Sequence, residues 1–387
     1  MSDKEKYYKE ESMSDKEKHY KEESMSDEEK YYKKVAHEAR ECSVAAVDLF
    51  CGAGGLTRGL EKAGISVKLG VDIDPACEFP YSANNNAAFL RKSIDDLEAS
   101  DLTAVYHDSK WKLLAGCAPC QTFSAYNRKA DSSDKRWWLL LQFSRLIQEV
   151  APQLVVMENV PGLVGKDVFS DFVQTLKSRD YYVEYQVVNC ADYGLPQRRK
   201  RLVLLASTLG PIHLLSPKSL RCKQKTVIDA IGKLPPIEAG TVDSRDPLHQ
   251  SSSLSDINLK RIRASKPGGT RRDWPKELAA DCHKKGSGKN YLSVYGRMRW
   301  EEPSPTITTQ FFGFGNGRFG HPEQDRAISL REGAIFQSFP KQYKFAAPRE
   351  PVSKAVLGRL IGNAVPVKLG EVIGKSIIKH VKDRRDW

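Results

Sequence analysis

Short apolar runs, each followed by a turn of polar or glycine residues, recur along the middle of the chain. Near-continuous apolar runs of this length are typical of strands in a parallel sheet that is covered on both faces. Helical patterns separate several of these runs, as at residues 56–63 and 137–150. The pattern therefore predicts an α/β fold. The predicted strands are residues 44–50, 67–71, 111–115, 153–157, 181–188 and 202–207.

Two stretches depart from this alternation of strand and helix. Residues 1–34 are a tandem repeat that reads MSDKEKYYKEES, MSDKEKHYKEES and then the shortened MSDEEKYYKK. This charge-rich sequence has too few aliphatic residues to bury a core, so we expect frayed helix or disorder there. From residue 209 to 291, proline, serine and basic residues accumulate. We therefore predict an irregular structure for that second stretch.

The composition indicates a soluble, basic protein. Hydrophobic residues make up 40% of the chain and charged residues 28%, and the net charge is +12. Because no apolar run approaches the roughly 20 residues of a membrane span and no signal peptide is recognisable, we expect a cytoplasmic protein without a membrane anchor. The eight cysteines indicate reduced thiols and not a disulfide framework. The basic charge suggests a polyanionic partner, although a solvated basic surface would also explain it.

A glycine-rich turn follows the first predicted strand. In CGAGG, residues 51–55, the glycines let the backbone approach a ligand at the start of the next helix. Asp72 follows the second predicted strand, and its carboxylate can accept hydrogen bonds from both hydroxyls of a ribose. A nicotinamide oxidoreductase is the main alternative, but Thr57 stands where the dinucleotide-binding pattern has its third glycine.

The segment GCAPCQTFS, residues 116–124, follows the third predicted strand and places Cys120 at its carboxyl end. Open α/β sheets bind ligands at that edge. Two other interpretations remain: a buried structural cysteine, or a redox or zinc pair formed by Cys117 and Cys120. A tetrahedral zinc site is incomplete because the chain has no second CxxC. Glu158 directly follows the predicted strand 153–157 and is expected to face the same crevice.

Five motifs occur in a characteristic order: DLFCGAGG, PCQ, ENV, QRRKR and IGNAVP. Together they resemble the cytosine-C5 DNA methyltransferase family of the prokaryotic restriction-modification type, from about residue 44 to the C-terminus. The resemblance implies a Rossmann-like class I S-adenosylmethionine-dependent methyltransferase domain with a smaller, irregular target-recognition domain. We therefore expect a charged extension at 1–40, a catalytic and cofactor-binding domain at 41–208 and 345–387, and target recognition at 209–344.

The resemblance also assigns roles to individual residues. It implies that Cys120 is the nucleophile, that Glu158 protonates or hydrogen-bonds N3 of the target cytosine, and that Arg199 holds O2. No metal is implied. The implied S-adenosyl-L-methionine contacts are Phe50, Gly52, Gly54, Gly55, Leu56, Asp72, Ile73, Ile94, Pro119, Asn363 and Ala364. The implied DNA contacts are Gln121, Ser124, Arg128, Gln197, Arg201, Arg271 and Arg272.

The implied activity is methyl transfer from S-adenosylmethionine to carbon 5 of a flipped cytosine in a specific duplex DNA site, through a covalent Cys120 adduct at carbon 6. One alternative is a transfer-RNA cytosine-C5 methyltransferase, but the Cys-Phe-Thr signature typical of that class is absent from residues 209–291. Another is a catalytically silent DNA-binding protein of the same fold, against which the presence of Cys120, Glu158 and Arg199 argues. The expected protein is a monomer, associated with the nucleoid through double-stranded DNA. A cognate restriction endonuclease acting separately remains open.

Overall fold

The computed structural model describes residues 44–106, 109–119, 136–284 and 292–384, and these belong to one compact unit. The predictions for the repeats at 1–34 and for Cys120, Gln121, Ser124 and Arg128 lie outside the described residues.

The core of the molecule is a seven-stranded sheet in the order β3-β2-β1-β4-β5-β7-β6. The strands from β3 to β5 in that order are parallel, whereas β7 runs antiparallel to both of its neighbours. This is the predicted α/β architecture with a single reversed strand. The strands are β1 (Val44–Leu49), β2 (Ser66–Asp72), β3 (Ala88–Arg91), β4 (Trp111–Gly116), β5 (Leu154–Asn159), β6 (Tyr182–Asn189) and β7 (Lys200–Ser207).

Helices connect the strands and continue beyond them to the end of the described chain. The predicted helices at 56–63 and 137–150 correspond to the first and fourth of the observed helices, with ends that differ by a single residue. The helices are α1 (Gly55–Lys62), α2 (Glu78–Ser82), α3 (Ala99–Thr103), α4 (Arg136–Val150), α5 (Asp167–Lys177), α6 (Val227–Ile231), α7 (Asp256–Ala264), α8 (Asp281–Lys284), α9 (Leu330–Phe336), α10 (Lys354–Asn363) and α11 (Val367–Asp383).

Both faces of the central strands are buried, which explains their near-continuous apolar runs in the sequence. In β1, Ala45 and Val47 belong to the hydrophobic cluster that includes Phe143 of α4. Val44 and Ala46 point into the opposite cluster with residues of α11. Since successive side chains of a strand point to opposite faces, covering both faces removes the alternation of apolar and polar residues that marks a half-exposed strand.

The C-terminal helix α11 returns to the start of the sheet and packs directly on α1. A Cβ atom on Gly59 would lie 2.5 Å from the Val367 carbonyl oxygen and 2.6 Å from the Glu371 nitrogen. A Cβ atom on Gly55 would lie 2.2 Å from the Val365 carbonyl oxygen. The two helices therefore approach at a backbone distance that only glycine permits.

The stretch from 209 to 344 is largely irregular, as predicted, and it is held by buried polar pairs as well as by apolar contacts. Arg326 donates to both carboxylate oxygens of Glu332 at 2.8 Å, and both side chains are buried. Its apolar cluster includes Phe311 and Phe336 and extends to Leu360 of α10. Because this cluster is shared with α10, the proposed domain boundary at 344 stays a prediction.

Candidate active site

Three sheet strands bring the predicted catalytic motifs to one edge. The carboxyl ends of β4 and β5 lie there because the two strands are parallel neighbours. The antiparallel pairing of β5 with β7 sets Asn159 opposite Leu202, so the amino end of β7 lies at that edge as well. The strands also extend further than predicted, since β5 includes Glu158 and Asn159 and β7 begins at Lys200.

The carboxyl group of Glu158 is the centre of this arrangement. It is only 2% exposed. The Nε atom of Arg201 lies 2.9 Å from Glu158 Oε1, and the Cys117 thiol donates a hydrogen bond of 3.0 Å to Oε2. Within the described part of the chain, Oε1 has no hydrogen bond of good geometry although it is buried. The carboxyl is therefore fixed in orientation and keeps hydrogen-bonding capacity on one oxygen, as a ligand-binding group should.

Asn159, at the end of β5, is linked by a side-chain hydrogen bond to the main chain of the turn that follows β4. Its Nδ2 atom donates to the Ala118 carbonyl oxygen at 3.2 Å, and its Oδ1 atom accepts from the Val160 nitrogen at 2.8 Å. Pro119, the last described residue of this turn, is exposed. Cys120 itself lies outside the described residues. The structure shows that the main chain just before it is anchored at Ala118.

Arg199 occupies a different environment from the one predicted for it. It is 2% exposed, its Nη1 atom donates to the Ile307 carbonyl oxygen at 2.9 Å, and its Nη2 atom donates to the Gly362 and Ala364 carbonyl oxygens at 3.1 and 3.4 Å. Burial, together with the nearby charge of Arg201, lowers the pKa of Arg199. The outer nitrogens of Arg199 thus satisfy main-chain carbonyls around the end of α10, and Arg201 is the arginine that pairs with Glu158.

Gln197, the first residue of the QRRKR motif, also has both side-chain polar atoms hydrogen-bonded within the protein. Its Nε2 atom donates to the Phe336 carbonyl oxygen at 3.0 Å and to Gln337 Oε1 at 2.9 Å, and its Oε1 atom accepts from the Ile307 nitrogen at 2.8 Å. The side chain has 0% exposure. This position suits a residue that organises the site, and it leaves no exposed surface for the predicted DNA contact.

The glycine turn after β1 borders open space on the predicted cofactor side. A Cβ atom on Gly52 would meet nothing within 4 Å, and the Gly52 nitrogen donates to Asp72 Oδ2 at 2.9 Å. The other Asp72 oxygen accepts from the Asp74 nitrogen at 2.9 Å. Each oxygen keeps a second lone pair for a hydroxyl group. Ile73 is 67% exposed beside this carboxylate, and Phe50 is half-buried with φ of 57°. Such a surface fits a ribose with an apolar ring next to it.

Other predicted cofactor contacts face the protein interior. A Cβ atom on Gly54 would lie 2.4 Å from Asn85 Nδ2, so the side-chain direction of Gly54 is filled. Leu56 and Ile94 are buried in the two apolar clusters of the sheet. Gly55 contacts the Val365 carbonyl as described above. By contrast, Asn363 is exposed and Ala364 is half-buried at the end of α10.

A buried carboxylate that the sequence interpretation missed lies beneath the glycine turn. Asp48 in β1 accepts hydrogen bonds from the Thr57 nitrogen at 3.2 Å and the Thr57 hydroxyl at 2.7 Å, and that hydroxyl lies 3.0 Å from the Tyr81 hydroxyl. Burial raises the pKa of Asp48 to about 7. Thr57, which stands where the dinucleotide-binding pattern has its third glycine, therefore forms hydrogen bonds with Asp48 in β1. The sequence signal for this buried carboxylate was an aspartate inside the apolar run 44–50.

A basic cleft of about 510 Å³ lies between the QRRKR motif and the irregular region. Its walls include Arg198, Arg299 and Arg318, and Arg198 pairs with Glu302 at 3.0 Å while remaining 59% exposed. Sequence reasoning passed over all three arginines because basic residues are frequent throughout this chain. The predicted Arg271 and Arg272 lie in a short 3₁₀ turn, Arg271–Asp273, in the same region.

The described residues contain neither a candidate metal site nor a candidate membrane span. Among these residues, no group of three or more His, Cys, Asp or Glu side chains is arranged to hold a metal ion. None of the helices in the described ranges is both long and apolar enough to cross a membrane.

Comparison with known proteins gives consistent results. The chain is 51% identical over 341 residues to the type II methylase M.HgiDII of Herpetosiphon aurantiacus, covering 87% of this chain and 96% of that protein. It is 30% identical to the type II methyltransferase M1.HphI of Haemophilus parahaemolyticus, covering 87% of each.

Solved structures support the same fold. A DNA modification methyltransferase encoded within an Escherichia coli prophage aligns with a TM-score of 0.66 at 23% identity, covering 88% of this chain and 100% of that one. The Entamoeba histolytica methyltransferase EhMeth aligns with a TM-score of 0.62 at 16% identity, covering 87% of this chain and 98% of that one.

The most direct assignment comes from a family model. The model of the C-5 cytosine-specific DNA methylases matches residues 44–379, which include all five motifs and every described strand. The chain belongs to the C-5 cytosine-specific DNA methylase family.

Proposed function

We propose that this type II cytosine-C5 DNA methyltransferase acts on a cytosine flipped out of duplex DNA, through a covalent adduct between Cys120 and carbon 6 of the base. The observation that carries the proposal is the Glu158 carboxyl, fixed between Arg201 and Cys117 beside the turn that leads to Cys120. A buried acid with one oxygen that lacks a hydrogen bond within the described structure suits the reaction at this edge.

The chemistry explains why these residue types are needed. Carbon 5 of cytosine is a weak nucleophile, and addition of the Cys120 thiolate to carbon 6 turns the ring into an enamine that can attack through carbon 5. As the carbon 6–sulfur bond forms, negative charge moves toward N3. A proton or strong hydrogen bond from Glu158 stabilises that charge. After the methyl group is transferred, a base removes the proton on carbon 5 and the thiolate leaves.

The two arginines of the QRRKR motif take different roles in this proposal. Arg201 lies next to the acid that contacts the base, so it holds the pyrimidine edge and orients Glu158. Arg199 stabilises the end of α10 through its carbonyl contacts, and only its buried Nε atom lacks a partner among the described residues. The role first assigned to Arg199 therefore passes to Arg201.

S-adenosylmethionine is the proposed methyl donor. Asp72 would accept its ribose hydroxyls, Gly52 leaves room for the ligand to approach the backbone, and Phe50 with Ile73 supplies apolar surface for the adenine. When bound, the cofactor supplies an electrophilic methyl group on a sulfonium.

The basic cleft is the proposed DNA-binding surface. Arg198, Arg299 and Arg318 lie between the catalytic edge and the irregular region, so they can contact phosphates on either side of a flipped nucleotide. Flipping costs a few kcal/mol, and phosphate contacts offset this cost.

Transfer of labelled methyl groups tests the proposal. Wild-type protein, Cys120→Ala and the control Cys222→Ala would be incubated with labelled S-adenosylmethionine and either unmethylated genomic DNA or total RNA. We expect label in DNA, lost in Cys120→Ala and kept in Cys222→Ala, because Cys222 follows β7 and belongs to none of the predicted catalytic or ligand-binding residues. Label only in RNA would favour the transfer-RNA alternative. Full activity of Cys120→Ala would refute the covalent adduct.

A further inference from the structure

We infer that Cys117 is a positioning residue for the catalytic acid: its thiol holds Oε2 of Glu158 and thereby selects Oε1 as the oxygen that serves the target base. The inference rests on the proposed function and adds a second cysteine to it, one that acts through Glu158 and forms no bond with the substrate.

The position of Cys117 is fixed on both sides by contacts that do not involve the substrate. Its nitrogen donates to the Leu49 carbonyl oxygen at 3.3 Å, which attaches the residue to β1 directly after β4 ends. The next residue, Ala118, has its carbonyl held by Asn159. The thiol therefore approaches Glu158 from an anchored main chain, with 3.0 Å between Sγ and Oε2.

The two oxygens of Glu158 are then not equivalent. Oε2 is occupied by the thiol hydrogen bond. Oε1 lies 2.9 Å from Arg201 Nε, yet the contact lacks hydrogen-bond geometry and leaves this buried oxygen unsatisfied within the described structure. A buried oxygen that lacks a hydrogen bond is costly even beside a cation, so its retention indicates that a ligand atom binds there. Without Cys117, the carboxyl could rotate and place either oxygen toward Arg201.

A thiol suits this role because it is a neutral donor. A second cation at Oε2 would favour the carboxylate and oppose the protonation that the reaction requires. Among the described residues, the ionisable groups that act on Glu158 include Arg199, Arg201 and the thiols of Cys117 and Cys190. Burial raises the pKa of Cys190 to about 12, so this second thiol stays neutral as well. Within the part of the chain that the structure describes, Arg201 is the cation paired with the carboxyl.

Two substitutions separate the hydrogen bond from the volume of the side chain. Cys117→Ser keeps a donor, whereas Cys117→Ala removes it, and both are smaller than cysteine. Single-turnover methyl transfer would be measured at saturating DNA and S-adenosylmethionine, with DNA affinity and the thermal unfolding midpoint measured in parallel. We expect the single-turnover rate of Cys117→Ala to fall about tenfold, equivalent to about 1.4 kcal/mol in the activation free energy, with unchanged DNA affinity. Cys117→Ser should recover most of the rate.

A double-mutant cycle tests whether Cys117 acts through Glu158. In the background of Glu158→Gln, Cys117→Ala should cause little further slowing because the group that it positions has been replaced. A wild-type rate for Cys117→Ala, equal slowing by serine and alanine, or additive effects in the cycle would overturn the inference. If instead the wild-type protein transfers no methyl group to DNA, it is the proposed function that fails.

Discussion

Arg201 and Glu158 form a largely buried ion pair between two antiparallel strands, with Nε and Oε1 2.9 Å apart. Glu158 lies near the end of β5 and Arg201 near the start of β7. Had β7 been parallel to β5, its first residues would lie at the opposite edge of the sheet. The reversed strand is therefore what brings the QRRKR motif to Glu158, the proposed catalytic acid.

Replacing Arg201 should impair catalysis more than DNA binding. We expect Arg201→Ala to lower the single-turnover rate at least about 100-fold, since mutations that remove charge stabilisation from an enclosed site cost about 3 kcal/mol. Arg198→Ala is the matched control, because Arg198 belongs to the same motif but is exposed in the basic cleft. It should weaken DNA binding and lower its salt dependence while the saturated rate stays close to that of the wild type. Equal effects of the two variants on the rate would contradict these assignments.

Replacing Arg199 should act mainly on stability. Arg199→Met removes the donors for the Ile307, Gly362 and Ala364 carbonyls, and we expect it to lower the free energy of unfolding by about 2–4 kcal/mol. Urea denaturation followed by circular dichroism measures this loss. The rate per folded molecule should fall less than in Arg201→Ala. A stable Arg199→Met protein without activity would return the base-contacting role to Arg199.

Asp48 should make stability depend on pH. Burial raises its pKa from 3.8 to about 7, so between these values the folded protein holds a proton that the unfolded chain has released. Its favourable contribution is therefore present below pH 3.8 and is lost as the pH rises toward 7. We expect Asp48→Asn to gain stability relative to the wild type, by up to about 3 kcal/mol, between pH 5 and pH 8. Denaturant unfolding of both proteins at the two pH values measures the difference, and parallel pH profiles would contradict it.

The contact between α1 and α11 should tolerate no side chain at Gly59. A methyl group there would lie about 2.5 Å from main-chain atoms of α11, so the helices would have to separate. We expect Gly59→Ala to lower the free energy of unfolding by about 1–3 kcal/mol, although alanine has the higher helix propensity. Lys62→Ala, an exposed position of the same helix, is the control and should be nearly neutral. Stabilisation by Gly59→Ala would show that the helices can move apart freely.

Much of the fold could be predicted because local patterns report local structure. The apolar runs marked every described strand except the short β3, and the glycine turn after β1 and the helices α1 and α4 appeared where expected. Ends were less certain: the predicted fourth strand stopped before Glu158, yet β5 includes it. Polar residues at a strand end lie outside the apolar run that defines the strand, so the pattern could not include them.

The order of the motifs was enough, by itself, to determine the family, the class of fold and the segments that carry the chemistry. Tertiary structure decided which members of each motif meet. Arg199 and Arg201 stand two positions apart in the same motif, and the pairing of β7 with β5 and the approach of α10 send one to main-chain carbonyls and the other to Glu158. Likewise, the sequence offered Cys117 only as a possible member of a redox or zinc pair, and its hydrogen bond to Glu158 is visible only in the folded chain. Such partners are remote in sequence, and only the packed chain brings them together.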